Sequence, residues 1–344
     1  MKTQYANAVT QYENGTSLGG RIIKEGGLVV FPTETVYGLG ANGLNSEAVL
    51  KIFAAKGRPA DNPLILHIAK KSELKPLWSH VPDNARILAD TFWPGPLTMI
   101  FNRSSIVPDE VTAGLDTVAV RMPLNKTARA LINAAGVPIA APSANLSGKP
   151  SPTTAEHVRQ DMDGRVDLII DGGPCKYGLE STVVSLIGRP TILRPGAVTK
   201  EMLEAVIGSV EVAHAVLSPL REGETAASPG MKYRHYAPDA EVVVAEGRER
   251  EIAAKICREY DAREAAGEDC IIFATKQTQP FYRGRNCVII GDRTEPATLC
   301  ASLFYNLREY GGRADVIFAE ALPNDDMGLA YMNRLLRSAG FNII

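Results

Sequence analysis

From residue 240 onward the chain alternates short, wholly apolar runs with longer stretches of helical spacing, and this alternation constrains its fold more than any other feature. The runs are Glu241-Val-Val-Val-Ala245, Cys270-Ile-Ile-Phe-Ala274, Cys287-Val-Ile-Ile290 and Asp315-Val-Ile-Phe-Ala319. Among them lie Arg248 to Ala266 (with Ile252, Ile256 and Tyr260 at helical spacing), Leu299 to Tyr310 and Leu329 to Ala339. Strands that are apolar on both faces need helices on both sides, which predicts a small, open, mainly parallel α/β domain. No glycine-rich turn follows its first strand to hold a phosphate, so the chemistry is expected elsewhere.

Ahead of this domain, residues 218–239 read SPLREGETAASPGMKYRHYAPD, with three prolines, two glycines and no apolar periodicity. A loop of that length is a linker or a functional segment. The expected division is therefore 1–215, a linker 216–239, and 240–344. The first segment mixes α and β less regularly. Strands are expected at Leu28–Phe31, Leu64–Ile68, Leu97–Phe101, Thr117–Arg121, Ile139–Ala141, Asp167–Ile170, Ser181–Leu186 and Thr191–Leu193. Helices are expected at Glu47–Ala55, Asp83–Thr91, Lys126–Ala135, Ala155–Met162 and Lys200–Ile207, with Thr153-x-x-Glu156 as a capping box for the fourth. Gly19-Gly20 falls where a first helix should run and weakens it.

A length of 344 residues suits two domains. Lys plus Arg number 37 against 39 Asp plus Glu, a net charge of −2, so no overall basic field draws the chain to nucleic acid. No run approaches 18 consecutive apolar residues, and Met1 to Asn7 lacks the apolar core of a signal peptide. Five widely spaced cysteines form neither zinc pairs nor a disulfide framework, and the histidines share no ligand spacing. A cytoplasmic protein without a membrane span is expected.

Two motif matches fail on context. Gly38-Leu-Gly40-Ala-Asn-Gly43 fits G-x-G-x-x-G, but Thr33 to Tyr37 separate it from the preceding strand and Asp61 precedes the next strand instead of ending it. Gly15-Thr-Ser17-Leu-Gly19 fits the nucleophile elbow without a strand before it. No classical P-loop occurs.

What repeats is a polar cluster at the end of an apolar run, where open α/β proteins bind ligands. Leu28-Val-Val-Phe-Pro32 leads into Thr33-Glu34-Thr35-Val36-Tyr37-Gly38, and Leu64-Ile-Leu ends in His67. Thr117-Val-Ala-Val ends in Arg121, Pro138-Ile-Ala-Ala-Pro142 in Ser143-Ala144-Asn145, and Ile192-Leu193 in Arg194-Pro195-Gly196. Lys56-Gly57-Arg58-Pro59 lies just past a helix. Each cluster also has a plain structural use: Lys56 and Arg58 suit a helix C-terminus, Thr33 and Thr35 a turn, and Ser143 with Asn145 a loop cap. Together, four cations near strand ends with stiff Pro and Gly beside them fit a polyanion such as a nucleoside triphosphate.

Lys56-x-Arg58, Ser143-x-Asn145, the stretch Phe31-Pro-Thr-Glu-Thr-Val-Tyr-Gly-Leu-Gly40 and Leu193-Arg-Pro-Gly196 resemble the YrdC-like domain of threonylcarbamoyl-AMP synthases. Ser228-Pro-Gly-Met-Lys-Tyr-Arg-His-Tyr-Ala-Pro238 is similar to the linker of the long, two-domain form. The resemblance implies an N-terminal YrdC-like twisted open α/β sheet and a small C-terminal Rossmann-like domain. It implies synthesis of threonylcarbamoyl-AMP and pyrophosphate from L-threonine, bicarbonate and ATP, with Mg²⁺ bridging phosphate oxygens. Partner proteins would then transfer the group to tRNA, with at most a weak tRNA contact by this chain. Carried over by motif, Thr35, His67, Arg121 and Ser181 bind threonine. Lys56, Arg58 and Arg194 meet the triphosphate, with Asn62, Thr117, Ala141, Ser143, Asn145 and Ser151 around the nucleotide. Lys56 and Arg58 carry catalysis by charge neutralisation, and Glu34 is either a general base or structural. The linker reads as a lid over 216–239, since Lys232 to Tyr236 are more than a spacer needs. Arg234, His235 or Tyr236 would meet the nucleotide there. The rival is an RNA-binding module without catalysis, which would show clustered basic and aromatic residues.

Overall fold

A computed structural model describes residues 2–8, 12–218 and 235–344. They form two bodies: 2–147 with 151–218, and 235–344 with Gly148–Pro150. Most of the expected lid, 219–234, lies outside the described residues, Arg234 included.

The first body begins with β1 (Gln4–Asn7), α1 (Tyr12–Lys24), β2 (Val29–Pro32), β3 (Tyr37–Asn42), α2 (Ser46–Lys56) and β4 (Ile65–His67). It continues with α3 (Asp83–Phe92), β5 (Leu97–Asn102), α4 (Asp109–Thr112), β6 (Thr117–Arg121), α5 (Lys126–Ala135) and β7 (Ile139–Ala140). Last come α6 (Ala155–Met162), β8 (Leu168–Asp171), β9 (Thr182–Ser185), β10 (Thr191–Arg194), α7 (Lys200–Ile207) and β11 (Glu211–Val212). Its strands make one mixed sheet in the order β1-β8-β2-β3-β7-β4-β6-β5-β9-β10-β11.

The two faces of this sheet are covered unequally. On one, Leu66, Met99, Val118, Val120 and Val184 join α2, α3 and α6 in the main core. On the other, Phe31, Ile139, Leu168 and Ile170 pack under α1 and α5. Farther along that second face, Ile65, Ile100, Ala119 and Val183 form a separate small cluster that, among the described residues, is built from strands alone. This is the part of the sheet where the strand ends turn polar.

Three local expectations need correction. The glycine-rich stretch after β2 is a strand, β3, antiparallel to it. Low β-propensity hid it, yet the glycines suit the packing. A Cβ on Gly40 would fall 2.7 Å from Ile139 Cγ2 and 2.8 Å from Phe31 Cε1. The cap of α6 is Thr154, whose hydroxyl accepts from His157 N at 3.3 Å, one residue later than the pattern suggested. Gly19-Gly20 does not break α1 but lets it lie close on α5. A Cβ on Gly20 would sit 2.6 Å from that of Ala134, so propensity is given up for contact.

The second body holds β12 (Glu241–Ala245), α8 (Glu249–Ala265), β13 (Cys270–Thr275), β14 (Cys287–Gly291), α9 (Pro296–Tyr310), β15 (Val316–Glu320) and α10 (Asp326–Ser338). Its strands are all parallel, in the order β12-β15-β13-β14. Val243, Ile272, Ala274 and Phe318 face α8, whereas Phe273 points the other way and meets Tyr310 of α9. The apolar runs are strands, and β12, β13 and β15 are buried along nearly their whole length as their composition required, whereas the edge strand β14 is only partly covered, with Ile289 exposed. No helix among the described residues is long and apolar enough to cross a membrane.

Candidate active site

Strand pairing brings residues distant in sequence into one row. His67, ending β4, lies opposite Arg121, which ends β6, and Arg121 lies opposite Thr98 of β5. Thr98 in turn faces Val183 of β9, opposite Arg194 of β10. Ser181 precedes Val183 by two residues and so shares its face. Its hydroxyl is 2.8 Å from Thr98 Oγ1 and accepts from Arg194 Nη2 at 3.2 Å, while Arg194 Nε donates to Ser181 O at 3.1 Å. Every member of this row is buried.

The turn after β2 supplies the next layer. Arg121 Nη1 donates to Thr35 Oγ1 at 2.9 Å and Nη2 to Glu34 Oε1 at 2.5 Å. Glu34 Oε2 accepts from Leu124 N and Asn125 N at 3.0 and 3.1 Å. Burial alone would raise the Glu34 carboxyl, but the Arg121 charge and these hydrogen bonds outweigh it and hold it below the usual range. A general base works best with a pKa near the working pH, so of the two roles left open for Glu34 the geometry favours that of counter-ion. His67 is pushed down to about 3, by burial first and the Arg121 charge second, and stays neutral. Its Nδ1 lies 3.1 Å from Ile65 O.

A second group forms where α2 ends. Gly57 takes the left-handed conformation (φ 61°) that closes the helix, its N–H reaching Ala54 O. Lys56 then turns inward, and its Nζ donates to Ser143 O and Asn145 O at 2.5 and 2.7 Å. Ser143 Oγ donates to Asn145 Oδ1 at 2.5 Å, so the two expected motifs are one structure. Arg58 Nη2 donates to Asn62 O at 3.0 Å. The Asn62 side chain is fully buried, and neither its oxygen nor its nitrogen has a hydrogen-bond partner among the described residues. A buried amide left so costs about 1–3 kcal/mol, which fits a group that meets a ligand.

The remaining candidates are more scattered. Ser151 Oγ donates at 2.5 Å to Glu180, the residue before Ser181. The Ala141 N–H donates to Ile65 O at 3.0 Å. Thr117 shares the face of Arg121 but begins the same strand, about 13 Å away at ~3.3 Å per residue. His235 and Tyr236 belong to the second body, where the Tyr236 ring lies 4.9 Å from Phe304. Thr98 and Glu180 escaped sequence reasoning. Thr98 is the one polar residue inside the apolar run Leu97–Phe101, and that was its only signal. Among the described residues no cluster of His, Cys, Asp and Glu could hold a metal ion.

Residues 21–196 match the Sua5/YciO/YrdC family model, described as telomere recombination, and 198–340 match the threonylcarbamoyl-AMP synthase C-terminal domain. Threonylcarbamoyl-AMP synthases of Pyrococcus abyssi and Bacillus subtilis are each 47% identical to the chain, over 324 and 326 residues. The matches span 94% of this chain and 93% and 92% of theirs. The crystal structure of P. abyssi Sua5 complexed with L-threonine aligns with a TM-score of 0.93 at 44% identity, covering 100% of this chain and 99% of that one. Escherichia coli YciO aligns with the equivalent of 57% of this chain and 96% of its own, at 27% identity and a TM-score of 0.50. The chain belongs to the threonylcarbamoyl-AMP synthase family, in the form that carries both domains.

Proposed function

We propose that the chain condenses L-threonine, bicarbonate and ATP into threonylcarbamoyl-AMP, pyrophosphate and water, and that the row from Thr35 through Arg121 to Arg194 holds the reactants. The observation that carries this is the buried guanidinium of Arg121, set between hydroxyls and a neutral imidazole. Such a setting suits an amino acid with a carboxylate and a hydroxyl better than a phosphate chain. Lys56, Arg58 and Arg194 supply the separate positive charge a triphosphate needs.

In this reading the neutral amine of threonine takes up bicarbonate as a carbamate, losing water. A carbamate oxygen then attacks the α-phosphorus and pyrophosphate leaves. The enzyme's part is to hold both reactants in line and to neutralise charge on the leaving group. Magnesium enters as part of the nucleotide substrate. The adenylate would pass to tRNA threonylcarbamoyl-transfer proteins. Pyrophosphate release that needs threonine, bicarbonate and Mg·ATP together, and needs no RNA, tests the reading. Release that depends on RNA, or is indifferent to threonine, would sink it.

The linker 216–239 is proposed as a lid that keeps water from the labile adenylate. Protease cleavage within 228–238 should slow markedly when ATP and threonine are both bound. Cleavage at an unchanged rate would make the segment a tether.

A further inference from the structure

Resting on the threonine site proposed above, we infer that Glu34 is a positioning residue that fixes the Arg121 guanidinium for the substrate carboxylate. The two side chains are 5% and 4% exposed, so the pair is out of water. A buried ion pair gives little net stability, because desolvation offsets the attraction. Its geometry therefore calls for another use.

That use follows from counting donors. A guanidinium has five N–H groups in a rigid plane. Three are engaged: Nη2 with Glu34 Oε1, Nη1 with Thr35 Oγ1, and Nε with Gly95 O at 3.4 Å. Among the described residues each terminal nitrogen thus keeps one N–H beyond these bonds, and a substrate carboxylate is a fitting acceptor for such charged donors. Glu34 is itself held at its other oxygen by Leu124 N and Asn125 N, so it cannot swing with the arginine. The plane of Arg121 is thus set from three directions before any substrate arrives. Tyr177 N donates to the Glu34 carbonyl at 2.9 Å and fixes the backbone below.

Calorimetric titration of the full-length protein with L-threonine tests this, together with steady-state KM values for threonine and ATP. Glu34→Gln should weaken threonine binding at least about tenfold and leave the KM for ATP within about twofold. In an Arg121→Gln background the same change should add nothing, because the group it orients is gone. Arg121→Gln alone leaves the Glu34 carboxylate buried without its cation, so each variant's melting temperature is read beside its titration, and Glu34→Asp, which keeps the charge, should recover part of the threonine affinity that Glu34→Gln loses. Unchanged threonine affinity in Glu34→Gln, or a full additive loss in the double variant, would overturn the inference. Wild-type protein that fails to bind threonine would instead overturn the function it rests on.

Discussion

Replacing L-threonine with L-valine should lower kcat/KM for adenylate formation by about 10⁴-fold, the discrimination expected of a site that hydrogen-bonds a substrate hydroxyl. Valine matches threonine in shape and puts a methyl group where the hydroxyl was. An apolar pocket separates such isosteres only by about 10²-fold, so the size of the ratio distinguishes two kinds of site. The row here is of the polar kind. Thr35, Thr98, Ser181 and His67 are all buried, and water does not readily replace a missing partner. A valine methyl would press an apolar group against this polar row and offer none of the hydrogen bonds that a substrate hydroxyl adds there, which is what makes the rejection large. The same assay with serine separates the hydroxyl's contribution from the methyl's. Serine keeps the hydrogen bond, loses one methyl, and should fall by only ~10–200-fold. Equal turnover of valine and threonine would refute the assigned substrate.

The residues that the sequence exposed and those it hid differ in one physical respect. Lys56, Arg58, Arg121, Ser143, Asn145 and Arg194 sit at ends of periodic elements, and ends are legible because periodicity stops there. The second body was readable for a similar reason: a strand covered on both faces must be apolar throughout, and four such runs stand in its sequence. Glu34 carries that mark too, but its role stayed open between base and structural, and Thr98 has no such mark. What gives Glu34 its role is Arg121, 87 residues away, and what joins Thr98 to Ser181 is the pairing of β5 with β9 across 83 residues. Register across a mixed sheet is set by the whole fold. The glycines of β3 and α1 misled for the opposite reason. Their propensity argues against a strand and a helix, and only the Phe31, Ile139 and Ala134 surfaces against them explain why no side chain fits.

Lys56→Ala and Arg58→Ala should each lower the rate at least about 100-fold, the effect expected of removing one charge that, on the proposed function, faces phosphoryl oxygens. The structure gives the two residues different secondary effects, and these make the comparison informative. Lys56 also anchors the carbonyls of Ser143 and Asn145, so its loss should lower the melting temperature and loosen the Ser143–Asn145 segment. Arg58 stacks on the Phe53 ring at 5.6 Å and holds Asn62 O, contacts local to the end of α2. A side chain serving only the dipole of α2 would contribute about 0.3–1 kcal/mol of stability and nothing to turnover. Ammonium rescue therefore decides between the roles. Added methylamine can enter the cavity left by Lys56→Ala and should restore part of the activity if the missing element is a positive charge. Near-normal turnover in either single variant would return that residue to the plain reading of a cation at a helix C-terminus. A hundredfold loss with an unchanged melting temperature in Arg58→Ala would place its charge on the nucleotide, because its structural contacts would then have been shown to be dispensable.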